Sequence, residues 1–169
     1  EHVYSFQIHH GCGGQYQDVL RETQRTMPSR FTDLSVMSTS GIPGHDGCHY
    51  GNEGYLQMGD WMVRLMERDL YGSADTVGIT PPDILAARFQ DGNRTRLTLT
   101  FDQSVVLPAD LSIKDYFFIN GMGKLADSIC ADTALHTLTL FLKETPRKPS
   151  VVSYTPNLWY PGTMTPYEG

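Results

Sequence analysis

No apolar run in the 169 residues approaches the ~20 needed to cross a bilayer, so a membrane-spanning helix is not expected. Positive charge is also scarce: 13 Lys and Arg stand against 19 Asp and Glu, for a net charge of −6. Nucleic acid needs a basic face to neutralise its phosphates, so this balance argues against that partner and leaves neutral ones such as sugars open. Cysteine occurs three times, at Cys12, Cys48 and Cys130. Either Cys12 pairs with Cys48 and leaves Cys130 free, or all three are thiols; spacing alone does not choose. A basic leader with an apolar core is missing as well, because Glu1 opens directly into the strand pattern Val3-Tyr4-Ser5-Phe6-Gln7-Ile8. A start inside a strand suggests a processed or truncated product.

What is present is globular composition, 40% hydrophobic and 19% charged, with 16 Gly and 10 Pro that call for many turns. Over the first 72 residues the pattern alternates between strand and helix. Residues 3–9 read as a buried strand and Gly11-Cys12-Gly13-Gly14 as a turn opening a helix. In the helix at 15–27, Tyr16, Val19, Leu20, Thr23 and Met27 recur near a 3.6 period. Pro28 ends it. Leu34 to Ser38 is a second strand, and a Gly/Pro/Asp-rich loop runs to Gly51. A long amphipathic helix then carries Tyr55, Met58, Met62, Leu65, Met66 and Leu70, with Asn52 as N-cap and Gly72 as the residue that closes it. Such a βαβα unit implies a parallel sheet covered by helices, and two strands are too few to make one. Further strands must come from elsewhere in a larger domain or from another polypeptide.

Past a linker at 75–82 the period changes to two. Leu97, Leu99 and Phe101 alternate with Arg96, Thr98 and Thr100, and Leu138, Leu140 and Leu142 alternate with Thr137, Thr139 and Phe141. Residues 84–89, 116–119 and 151–154 add short strands between the turn signals Asp91-Gly92-Asn93, Asn120-Gly121 and 146–149. The expected fold is therefore α/β over 1–74, followed over 83–169 by a small antiparallel β-sandwich of immunoglobulin-like type.

Chemistry concentrates in Gly44-His45-Asp46-Gly47-Cys48-His49-Tyr50-Gly51. An Asp three residues before a His, in a glycine-flanked loop, can hold the imidazole Nδ1–H. That leaves Nε2 to act as a base toward a hydroxyl. The same pair also reads as a turn or capping feature. Its place after a strand and before a helix puts it at the carboxyl edge of the sheet, where open α/β folds carry their sites.

The stretch Asp46-Gly47-Cys48-His49-Tyr50, with Gly54-Tyr55 and Met58-Gly59 after it, resembles the Asp-x-x-His block of SGNH hydrolases, most closely the sialate O-acetylesterase and acetylxylan esterase group. Val19-Leu20-Arg21-Glu22-Thr23-Gln24-Arg25 and Ser38-Thr39 fit the same group, so the resemblance covers about residues 3–72. It implies the C-terminal part of a flavodoxin-like three-layer α/β sandwich and a Ser-His-Asp acyl transfer on O-acetylated carbohydrate. His49 would be the general base and acid, and Asp46 its orienting partner. No cofactor or metal is implied, and location would be secreted or periplasmic in a bacterium. The family's serine lies in a Gly-[Asp/Gln]-Ser block near the start of its domain, and neither Gly-Asp-Ser nor Gly-Gln-Ser occurs here. The nucleophile is therefore expected on an upstream segment or a partner chain, with little activity from this chain alone. Ser38 and Ser40, near the same sheet edge, read as strand-end and turn residues.

Other residues carry weaker signals. His9 and His10 are expected to line an acyl or sugar pocket, or simply to end a strand. With Cys12, His45, Cys48 and His49 they suggest a zinc cluster, but the spacing matches no zinc pattern. Gly11-Cys12-Gly13-Gly14 lacks the lysine and hydroxyl of a phosphate loop. Trp159, Tyr160 and Tyr167 either stack on sugars or pack the tail. The alternative to an esterase is a non-catalytic carbohydrate-binding or interaction module with a vestigial Asp-x-x-His loop. A small metal-dependent hydrolase is a third reading.

Overall fold

The computed structural model describes residues 1–12, 14–42, 44–76, 78–148 and 150–155. The chain is mixed α/β, and its described residues divide into two units, residues 1–81 and 82–155. Trp159, Tyr160 and Tyr167 lie outside the described residues.

In the first unit, strand β1 (Val3–Phe6) pairs in parallel with β2 (Leu34–Met37), in the register Val3 to Leu34 through Phe6 to Met37. Helix α1 (Gln17–Thr26) lies between them in sequence, entered through a 3-10 turn at Gly14–Tyr16 and left through another at Met27–Ser29. Helix α2 (Asn52–Tyr71) follows β2. The first strand is shorter than its apolar pattern over 3–9 predicts. Gln7 N–H still reaches the Met37 carbonyl at 2.8 Å, but the next amide, Ile8, donates to the Gln24 side chain at 3.0 Å. Gln24 Nε2 donates to the Phe6 carbonyl at 3.4 Å, so the strand ends where a side chain replaces a neighbouring strand.

One expectation about the helices needs correction. The N-cap of α2 is Gly51, with extended backbone, rather than Asn52, which is the first helical residue. Gly72 closes the helix as expected, in the left-handed conformation at φ 68°. In α1 the periodic apolar residues do not face the core. Tyr16, Val19 and Leu20 are exposed, and the buried residue of the helix is Gln17. Gln17 is turned inward because its Oε1 accepts the Gly11 N–H in the turn ahead of the helix. The core of this unit is Met37, Ile42, Tyr50, Trp61, Leu65 and Ile79, with Tyr4, Phe6 and Met58 packed against it. Trp61 and Leu65 on α2 supply its helical side, and the Met62 and Met66 positions are only half-buried.

The second unit holds a four-stranded antiparallel sheet in the order β3 (Ile84–Phe89), β4 (Arg96–Phe101), β7 (Thr137–Leu142) and β6 (Ala126–Asp132). A separate antiparallel pair joins β5 (Phe117–Ile119) to β8 (Val152–Tyr154). The alternation read over 96–101 and 137–142 holds: Leu97, Leu99, Leu138, Leu140 and Leu142 are all buried, and the intervening Thr98 and Thr139 hydroxyls meet across the ladder at 3.0 Å. Strand β6 was not apparent from the sequence. It buries Ala126 and Ile129, and a register shift between Ala126 and Ser128 breaks its alternation.

Candidate functional site

The loop from Gly44 to Gly51 is a small closed structure at the entry to α2. His45 and Tyr50 form an antiparallel bridge, Asp46 N–H donates to the His49 carbonyl at 3.0 Å, and Gly51 N–H donates to the Gly44 carbonyl at 2.8 Å. The chain reverses through Gly47 at φ 103°, a conformation that a Cβ would strain. Inside this turn Asp46 Oδ1 accepts the backbone N–H groups of Cys48 at 2.9 Å and His49 at 2.7 Å. Its other oxygen, Oδ2, stands 3.1 Å from His49 Nδ1. A carboxylate only accepts, so the imidazole carries its proton on Nδ1 and leaves the Nε2 lone pair free.

Both side chains face water, with exposures of 77% for His49 and 65% for Asp46. The N–H groups of His49 and Cys48 hold the Asp46 carboxyl well below the usual carboxylate range, and the His49 ring adds to them. Asp46 is accordingly an anion at any physiological pH. The arrangement can orient a base toward an incoming hydroxyl, the task of two members of a triad.

The loop rests on a bed of histidine and tyrosine. His9 is buried, and its Nδ1–H donates to the Gly47 carbonyl at 3.0 Å. Its ring lies 4.0 Å from that of His45 between centroids, and Tyr50 meets both edge-on. His45 Nδ1 accepts the Gly47 N–H at 3.2 Å, which fixes a neutral ring, and burial pushes its pKa down. His10 is 1% exposed, and burial, followed by the charge of Arg21 and the neighbouring His9 and His45, pushes its pKa down to about 3. Tyr50 donates its hydroxyl to the Thr39 carbonyl at 3.3 Å, just past the end of β2. His9 thus holds the loop through the Gly47 carbonyl, and the buried His10 packs edge-on against the His9 ring.

Cys12 and Cys48 are joined in a disulfide with Cα atoms 4.6 Å apart, and Cys130 is a free, exposed thiol on β6. Two sulfurs bonded to each other are not thiolate ligands, which takes them out of any zinc cluster. Among the described residues no group of three or more His, Cys, Asp or Glu could hold a metal ion. No described helix is long and apolar enough to cross a membrane.

No family model, curated protein or solved structure matches this chain. Ser38 and Ser40 make local hydrogen bonds just past the end of β2. Ser38 Oγ accepts the Ser40 N–H at 3.1 Å, and Ser40 Oγ receives Arg21 at 3.5 Å. A second Ser, His and Asp set occurs at Ser35, His2 and Asp69, beside the start of the strands. There His2 Nε2 is the contact to both Ser35 Oγ, at 2.9 Å, and Asp69 Oδ2, at 3.3 Å. A relay needs one ring nitrogen for each partner, so this group ties β1, β2 and α2 together and is not a triad.

Reading the sequence alone missed three supports of the site, the side chains of Gln7, Gln17 and Gln24. Gln7 Nε2 donates to the Arg21 carbonyl at 2.9 Å, and the other two bind the segment after β1. The one local clue was glutamine recurring where an amphipathic helix would place apolar residues.

Proposed function

We propose that this chain is the histidine- and aspartate-bearing part of an SGNH-type serine esterase that removes O-acetyl groups from carbohydrate. The observation that carries the reading is the Asp46–His49 contact, 3.1 Å from Oδ2 to Nδ1 with Nε2 left to solvent. In the proposed reaction Nε2 of His49 takes the proton of a serine hydroxyl as the serine attacks the acetyl carbonyl. It returns that proton to the departing sugar oxygen, and water repeats the cycle on the acetyl-enzyme. Asp46 holds the ring and stabilises the imidazolium formed between those steps.

The serine belongs to an upstream segment or a partner polypeptide. Two features support this supply. Among the described residues the parallel sheet has only β1 and β2, and parallel strands are ordinarily buried on both faces in larger sheets. Tyr16, at the entry to α1, and Val19 and Leu20 on its first turns also expose apolar side chains. The disulfide fits a secreted or periplasmic location, because such bonds persist in oxidising compartments. The antiparallel sheets of the second unit fit an accessory domain of immunoglobulin-like type.

The test is labelling of natural-source material with a serine-directed fluorophosphonate, read by intact mass and peptide mapping. The reading expects an adduct on a serine outside these 169 residues, in the same polypeptide or a bound one, and its loss in a His49→Ala variant. Absence of any adduct, with glycan binding retained, would instead select the non-catalytic carbohydrate-binding module.

A further inference from the structure

We propose that the Cys12–Cys48 disulfide is the positioning device of the Asp46–His49 pair, and that a dithiol reductant disables the pair by cutting it. Cys48 is placed between the two site residues, and its own N–H is one of the two backbone donors to Asp46 Oδ1. Whatever fixes the Cys48 backbone therefore fixes one donor to the carboxylate, and through the carboxylate the ring of His49. The other half of the bond, Cys12, belongs to the segment following β1. That segment grips the loop twice: His9 Nδ1–H holds the Gly47 carbonyl at 3.0 Å, and Cys12 holds Cys48 covalently. Cys12 in turn is anchored by its N–H on the His9 carbonyl at 3.1 Å.

The covalent tether matters because the pair is so open. With Asp46 65% and His49 77% exposed, water competes for every hydrogen bond that holds the carboxylate, and each such bond has little net strength. The local turn alone leaves residues 46–49 several accessible geometries, and the tether from a different part of the chain removes them. The same openness makes the bond reachable, since Cys12 is exposed and Cys48 half-buried. In the switching step a thiolate of the reductant attacks one sulfur and expels the other as thiolate, forming a mixed disulfide. The reductant's second thiolate then displaces the remaining protein sulfur. Cys12 and Cys48 end as two protonated thiols, and the dithiol leaves as a disulfide, having given up two electrons and two protons.

The catalytic consequence rests on the acyl-transfer reading, but the measurement does not, since it is made on the chain alone. Carboxyl carbon and imidazole nitrogen NMR would follow Asp46 and His49 across pH, before and after reduction by a dithiol, with mass confirming two added hydrogens. The expected result is an upward shift of the Asp46 midpoint toward the ordinary carboxylate range, together with loss of the fixed Nδ1–H tautomer of His49 and retained helical circular dichroism. A disulfide that merely stabilises the unit would leave both signals in place, and that outcome overturns the proposal. Should reduction melt the helices, the Cys12→Val/Cys48→Ala double variant reads the same signals with an apolar contact in place of the bond. Unchanged signals there, or unfolding there too, would make the bond a folding element and equally overturn the proposal.

Discussion

Asp46 divides its carboxylate between two tasks: Oδ1 receives the N–H groups of Cys48 and His49, while Oδ2 faces His49 Nδ1 at 3.1 Å. An Asp46→Asn substitution separates those tasks. The amide oxygen can keep both backbone bonds, but an NH2 group now faces Nδ1 and drives the ring proton to Nε2, the wrong tautomer for a base. On the proposed acyl-transfer reading, with a serine-bearing segment supplied, kcat/KM on an acetyl ester is expected to fall roughly 10²- to 10⁴-fold. The thermal midpoint should change little. A variant with full activity would remove Asp46 from the mechanism.

Gly54 and Gly59 stand on the same helix and should respond oppositely to alanine. A Cβ at Gly54 would lie 3.0 Å from Tyr50 Cβ and Cδ1 and 3.1 Å from Ile42 Cγ2, in the core under the loop. Overpacking of that kind costs about 1–3 kcal/mol. At Gly59 nothing lies within 4 Å, and replacing a mid-helix glycine stabilises by about 0.5–1 kcal/mol. Urea unfolding followed by helical circular dichroism reads both changes, because α1 and α2 belong to the first unit.

His10 predicts a pH dependence of folding. Unfolded, it takes a proton near the ordinary histidine value of about 6.5; folded, burial first and then Arg21, His9 and His45 hold its midpoint at about 3. Between those values the unfolded chain binds a proton that the folded chain does not. Stability of the first unit therefore falls as pH drops through that window, by up to ~1.4 kcal/mol per pH unit, and is unaffected by His10 above it. A His10→Gln variant should show a shallower decline between pH 6.5 and 4 in the same urea experiment. An identical slope would assign the acid sensitivity elsewhere.

Leu140, at 0% exposure on a central strand of the four-stranded sheet, is the second unit's most enclosed leucine. Leu140→Ala should cost about 2–5 kcal/mol, the transfer loss plus the cavity left behind. Amide hydrogen exchange in β4 and β7 measures it directly, since Leu97 pairs with Leu140 across the ladder.

Several of these elements could be read from residue order because their signals are local. The 3.6 period and the terminal Gly72 mark α2, and the alternation of leucine with threonine marks β4 and β7. Asp46, three residues ahead of His49 among glycines, forms with it a pair close enough in sequence to be legible in residue order, while the tether on Cys48 comes from Cys12, 36 residues away. Strand β6 escaped because, within the sequence Ala-Asp-Ser-Ile-Cys-Ala-Asp, its buried Ala126 and Ile129 are three apart across a bulge. What covers α1 is not legible in the sequence for a related reason. An apolar period says that one side of a helix seeks cover, but not that the cover lies in the same stretch of chain.

Residue order settles the alternating patterns, the close of α2 at Gly72 and the residues available for chemistry, all of which depend on neighbours a few positions away. Tertiary structure alone decided which cysteines pair, that His9 reaches Gly47 from 38 residues away, and that Gln24 rather than another strand satisfies Ile8. Those contacts depend on where the chain returns in space. Buried polar groups must find partners there, whatever their distance along the sequence.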